Sequence, residues 1–244
     1  MTDRPTCTPT STRQHHTWQL ARVFVLIGGV INPIVFVTAY TVAGALRPGY
    51  SPVHQAISDL GVGRSGQLLD IIAVGHGLLL ILFAIGFAIL IQPVLGPVAR
   101  WLATALLILR GLAQITTATF TEAPATVAIH WAATIVALLS IVSTFLIVGL
   151  ALRRNTRWRN WGTFSLAATV ITVLLVAVMF WLFNPRSPAA PTQLGGLAER
   201  AVSVETLAWW VILGWHLYRE TAGLPPGTAP GQHPAPGTPT IQRP

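Results

Sequence analysis

The chain has 244 residues, of which 52% are hydrophobic and only 9% charged, and its mean hydropathy is +0.62. A water-facing domain carries about 25% charged residues, so this composition excludes an ordinary soluble protein and makes lipid the solvent for most of the surface. The net charge of +8 is no sign of nucleic acid, because the arginines stand between apolar runs and form no basic face interleaved with aromatics.

No lysine occurs, which excludes a Schiff-base lysine and the lysine of a phosphate-binding loop. The single cysteine, Cys7, allows neither an intrachain disulfide nor a cysteine-rich zinc site.

Residues 1–19 are rich in Thr, Pro, Arg and His and read as a disordered cytoplasmic tail. The first apolar run covers about Leu20 to Leu46. It is too long and starts too late for a signal peptide, and Asn32-Pro33 is expected to kink it by removing a backbone hydrogen bond. A polar segment from Arg47 to Asp70 follows, with turns at Pro48-Gly49 and Ser51-Pro52. Further runs span Ile71 to Ile91, Arg100 to Thr119, Val127 to Leu152, Trp161 to Phe183 and Leu197 to Tyr218. Each approaches the roughly 20 apolar residues that cross a bilayer. From residue 219 a Pro- and Gly-rich stretch reads as a second disordered tail. The expected architecture is all-α: an integral membrane bundle of six transmembrane helices over residues 20–218.

Orientation follows from arginine, which short cytoplasmic loops retain. With the N-terminus inside, Arg4, Arg13, Arg22, Arg100, Arg153, Arg154, Arg157, Arg159 and Arg219 are cytoplasmic, and Arg47, Arg64, Arg186 and Arg200 face outward. Both termini are then cytoplasmic, in the cell membrane. Asp59, Asp70, Glu122, Glu199 and Glu205 fall at the outer side, with His54, His76 and His130 at the outer helix ends. Such a distribution fits an outer polar site. It also fits plain depletion of acids from basic cytoplasmic loops.

Several of these residues can carry chemistry. His54, Ser58 and Asp59 share the first outer loop, where spacing puts His54 and Ser58 on one face of a short helix. Ser58 can equally cap a helix and Asp59 meet its dipole. With Glu122 these are the candidate catalytic residues. His76, His130 and Asp70 are the candidate metal ligands, since imidazole and carboxylate hold zinc and bound zinc can activate water. No two histidines have metal-site spacing on one helix, however. Arg110 lies mid-helix, where arginine costs about 2.5–3.5 kcal/mol, and heads a polar stripe with Gln114, Thr117 and Thr121. It requires a carboxylate, a carbonyl cage or an anionic ligand. Arg110, Gln114, Glu199 and Arg200 are the candidate ligand-binding residues.

Four segments resemble one known group, the bacterial membrane proteins called "domain of unknown function 998". Arg47-Pro-Gly-Tyr-Ser-Pro-Val-His-Gln-Ala-Ile-Ser-Asp-Leu-Gly61 resembles its first loop, with a PGY-like turn before I-S-x-L-G. Phe120-Thr121-Glu122 is similar to its F-P-x-D, although Thr and Glu replace Pro and Asp. His130 resembles the histidine opening its fourth helix, and Gly196-Leu-Ala-Glu-Arg200 its G-L-x-x-R before the last helix. The resemblance implies a six-helix membrane protein and supplies no activity.

Three functions stay open on sequence alone. One is binding of a membrane lipid or other amphipathic ligand at the outer site. Another is a metal-dependent membrane hydrolase or other enzyme acting on a lipid or isoprenoid. The least favoured is a small transporter, because carriers break helices at matched mid-membrane positions and here only Asn32-Pro33 does so. No nucleophile signature of the G-x-S-x-G kind is present.

Overall fold

Pro33 decides the shape of the first helix. Its ring removes a backbone donor and crowds the preceding turn, and the chain answers by widening that turn. Residues Pro9–Phe24 are α-helical, Val25–Ile31 π-helical and Asn32–Leu46 α-helical again, together forming one continuous rod, α1. At the junction Asn32 N–H reaches back to Ile27 O, the longer span of a π-turn. The expected kink is therefore absorbed as an over-wide segment.

The computed structural model describes residues 9–62 and 66–222. Cys7, Arg64, and the tails over residues 1–8 and 223–244 lie outside the described residues. Helix α1 starts at Pro9, well before the first apolar run. Extending an existing helix is far cheaper than starting one, and Trp18 anchors the extension by packing into the core.

Five more long helices follow: α2 Gln67–Leu90, α3 Pro97–Thr119, α4 Val127–Leu152, α5 Arg159–Phe183 and α6 Gly195–Glu220. Among the described residues there is no strand, and five helices, His15–Leu46 and α2 to α5, are long and apolar enough to cross a membrane. The sixth, α6, has 26 residues, about 39 Å at 1.5 Å per residue against a hydrocarbon core of about 30 Å. It differs in composition, carrying Glu199, Arg200, Glu205, Arg219 and Glu220.

Each helix packs on the next, and α6 returns to the π-segment of α1, so the six close into a ring. One end of the ring carries the loop over residues 47–62 and is called the mouth. The other carries the connection Arg153 to Trp158 and is called the basic end. Towards the basic end the middle of the ring is filled. Phe83 leans on Trp210, with ring centroids 5.0 Å apart, and Phe145 on Trp209 at 4.3 Å. Trp209 Nε1–H donates to Ser165 Oγ at 3.0 Å, which satisfies the indole in its dry surroundings. Towards the mouth the middle of the ring is hollow.

A glycine crossing sets the depth of that hollow. Gly77 of α2 and Gly111 of α3 meet so closely that a Cβ on Gly77 would lie 2.7 Å from Gly111 O, and one on Gly111 2.8 Å from Gly77 O. Small residues let membrane helices touch backbone to backbone. The residues just before them in sequence are His76 and Arg110, which this contact brings to the same level.

Candidate functional site: a chamber under the first loop

The hollow is a cavity of about 270 Å³ to which all six helices contribute. That is close to the lower bound of roughly 300 Å³ for pockets that hold small molecules. Arg110 stands nine residues before the end of α3, and His76 nine residues after the start of α2, which puts both about 13 Å below the mouth by helical rise. They form the floor with Gln114. Phe36, Leu138, Ile141, Met179, Val202 and Leu207 supply an apolar wall. Ser58, Asp59, Asp70, Glu122, His130 and Glu199 stand around the rim.

The floor is defined by one amide. Asn32 Nδ2 donates to His76 O at 3.2 Å and Gly28 O at 3.4 Å, so its Oδ1 is left to accept. His76 Nδ1, 3.0 Å from that oxygen, must then carry its hydrogen, and Phe36 stacks on the ring at 4.2 Å. In the neutral imidazole the second nitrogen is a bare acceptor. Among the described residues His76 Nε2 has no hydrogen-bond partner, although the residue is only 2% exposed. Arg110 Nη1 donates to Gln114 Oε1 at 3.0 Å. The ion pairs among the described residues join His130 to Glu122 and Arg157 to Glu220, so neither supplies Arg110 with a carboxylate.

The rim holds a polar cluster centred on Glu122. Ser58 Oγ donates to Glu122 Oε1 at 3.2 Å, and the same oxygen lies 3.4 Å from His130 Nε2. His130 Nδ1 faces Thr117 O at 3.1 Å and Phe120 O at 2.9 Å, so it carries a hydrogen. His130 Nε2 therefore faces the Glu122 carboxylate.

The loop closes over the mouth because α6 and the α3–α4 connection both bind it. Leu197 N–H donates to Val53 O at 3.0 Å, and Ile57 N–H to Glu199 Oε2 at 2.6 Å. Arg200 Nη1 donates to Gln55 O and Gly196 O, each at 2.9 Å, while Nη2 reaches the Tyr50 hydroxyl. Gly196 permits this approach: a Cβ there would lie 2.2 Å from Gln55 O. Arg47 Nη1 donates to Asp59 O at 2.6 Å, and Ala56 N–H to Asp59 Oδ2 at 2.9 Å. Burial pushes the Tyr50 phenol above its ordinary range, against the opposing pull of Arg200. The phenol keeps its proton and donates it to Ala56 O at 2.6 Å.

The residues singled out from sequence divide between chamber and frame. Ser58, Asp59, Asp70, His76, Arg110, Gln114, Glu122, His130 and Glu199 all line the chamber. Asp59 and Glu199 also hold loop backbone, and Arg200 stands behind the wall as the loop's main tether. His54 is exposed and its Nδ1 lies 3.0 Å from Gln193 O, away from the chamber. Among the described residues no three His, Cys, Asp or Glu side chains come together as a metal would need. His76, His130 and Asp70 therefore share a wall without forming a ligand set. Asn32 escaped sequence reasoning as a site residue, since its place before Pro33 suggested only a bend. Glu205 bonds Thr172 Oγ1 at 2.7 Å, and His216 stacks on Trp161 at 3.9 Å near the basic end.

A family profile described as "Protein of unknown function (DUF998)" matches residues 30–216. The chain belongs to this family. The matched span runs from the π-segment of α1 to the last turns of α6 and so contains the chamber, its loop and its plug. No curated protein and no solved structure matches the chain.

Proposed function

We propose that this multipass membrane protein binds an amphipathic ligand, a lipid or lipid-like molecule, in the chamber at its outer face. The reading rests on one observation: a cavity with a cationic floor, an apolar wall and an acidic rim, roofed by a loop and stopped below by stacked aromatics. An apolar wall with a few placed polar groups is the usual chemistry of a ligand pocket. The arginines of the connections favour an orientation with the basic end in the cytoplasm, the mouth outside and α6 as the sixth span. The aromatic plug favours a one-ended chamber over a transport pathway. The scattered histidines and carboxylates favour binding over zinc-dependent hydrolysis.

Filling the chamber tests the reading. Ala137 lines the wall and is buried, so Ala137→Trp would occupy the space a ligand needs. Protein purified in mild detergent is expected to yield about one tightly held amphiphile per chain on extraction and mass spectrometry. Ala137→Trp, and separately Ala73→Phe, should lose it while keeping a monodisperse elution profile. Equal lipid recovery from wild type and both variants would leave the chamber without a role in binding.

A further inference from the structure

The geometry points to a singly charged oxyacid carrying one hydroxyl, the head of a phosphate monoester, as the group that sits on the chamber floor. This rests on the ligand-binding reading above and specifies its chemistry.

Three floor groups dictate the match. Arg110 carries five N–H donors, of which one goes to Gln114 Oε1. Among the described residues no carboxylate pairs with it. A cation in a membrane span is expensive unless a counter-charge or carbonyls surround it, so the floor calls for an anion. Gln114 gives its oxygen to Arg110 and is left with its NH₂ as a donor beside the same space. His76 contributes the opposite character. Its Nδ1 hydrogen is committed to Asn32 Oδ1, and its unpartnered Nε2 is an acceptor. The complement of two donors and one acceptor is a head with at least two bare oxygens and one O–H. A carboxylate or a sulfonate meets the donors and leaves His76 without a hydrogen. A singly ionised phosphate monoester meets all three.

The polarity of the remaining wall agrees. The carboxylates that line the chamber, Asp59, Asp70, Glu122 and Glu199, belong to the rim, so the floor is where an anion meets least repulsion. The rest of the wall mixes apolar side chains such as Phe36, Leu138 and Val202 with the hydroxyls of Thr117, Thr134 and Ser203, so a short alkyl chain has apolar surface to lie against.

The test uses four probes with one tail and different heads: hexyl phosphate, hexylsulfonate, hexylamine and hexanol. They are added near pH 5.5, where the phosphate is mainly singly ionised, to protein in maltoside micelles, with binding read by thermal stabilisation. Hexyl phosphate is expected to bind tightest, with hexylsulfonate weaker by roughly tenfold, the cost of leaving one buried acceptor unpaired. Arg110→Gln should weaken hexyl phosphate by roughly tenfold or more and leave hexanol unchanged. If that variant does not assemble, Gln114→Leu provides the same comparison. His76→Phe should abolish the preference for phosphate over sulfonate. Hexylamine or hexanol binding as tightly as hexyl phosphate would overturn the oxyacid seat while leaving the chamber intact. So would wild-type affinity for the phosphate in the floor variants. Stabilisation by none of the four probes would defeat the chamber reading and this inference together.

Discussion

Gly77→Val is expected to stop the protein assembling, and Gly111→Val to do the same, while Gly75→Ala two residues away leaves it intact. At both harmful positions a new Cβ would meet a backbone carbonyl, Gly111 O at 2.7 Å and Gly77 O at 2.8 Å, as well as an isoleucine side chain, Ile115 or Ile81, at 2.7 Å. No rotamer change relieves the clash with the carbonyl, so α2 and α3 must separate along their length. Overpacking a core costs about 1–3 kcal/mol when side chains can yield, and here the effect should reach or exceed the upper end. Separation would also pull His76 from Arg110 and open the floor. Gly75 meets nothing within 4 Å, and alanine is the better helix former by about 0.5–1 kcal/mol. Fluorescence-detected gel filtration separates the outcomes, with aggregated protein expected for the two valines and a wild-type peak for Gly75→Ala. A normal peak and melting point for both valines would remove the crossing as the element that sets the floor.

Arg200→Leu should release the loop from the mouth without dismantling the ring. The guanidinium ties Gln55 O, Gly196 O and the Tyr50 hydroxyl together and sits over the Tyr50 ring at 5.5 Å. Hydrogen bonds to a charged group contribute about 1.5–3 kcal/mol each. Since the Gly196 bond lies within α6, the loop itself stands to lose about 3 kcal/mol, or roughly a hundredfold in its opening equilibrium. Ala56 belongs to the loop and is buried on its inner side, so Ala56→Cys in a Cys7→Ser background reports that opening through its rate of thiol labelling. Arg200→Leu is expected to raise the rate by roughly that hundredfold. Arg186→Leu is the matched control, as Arg186 is exposed on the same side and, among the described residues, only its backbone N–H is engaged, to Asn184 Oδ1. Equal rates in wild type and Arg200→Leu would show that the arginine does not hold the loop.

Much of the fold was legible in the sequence because apolar runs and their punctuation are local. The run ending at Leu46 ends there in the structure, and Val127 to Leu152 is reproduced as written. Elsewhere the helices extend a few residues into polar flanks, as α2 does to Gln67 and α5 to Arg159. Those flanks complete turns that the membrane does not require to be apolar. The site was legible as a set of residue types on one side and not as a geometry. Whether His76, Arg110, Glu122 and Glu199 face one space depends on the rotation of three helices about their axes and on the path of the α3–α4 connection. That rotation is set by contacts such as Gly77 against Gly111, which carry no hydrophobic signal. The roles of Asn32 and Arg200 were hidden for a related reason. Both act through bonds to residues far away in sequence, His76 and Gln55, and a polar residue beside a kink or a loop has many local explanations. His54 misled in the opposite direction, since spacing placed it beside Ser58 and the loop's turns carry it outside.

The chamber itself is open to one direct measurement. Thr134 lines it, whereas Leu139, five residues further along α4, is 63% exposed on the outside of the ring. Cysteine is placed at each position in turn, in a Cys7→Ser background, and a small charged thiosulfonate is applied to sealed vesicles from one side at a time. The expected result is reaction at Thr134→Cys from the mouth side alone and none at Leu139→Cys from either side. Reaction at Thr134→Cys from the side of the Arg153 to Arg159 connection, or silence there while Leu139→Cys reacts, would contradict a water-filled, one-ended space enclosed by the helices.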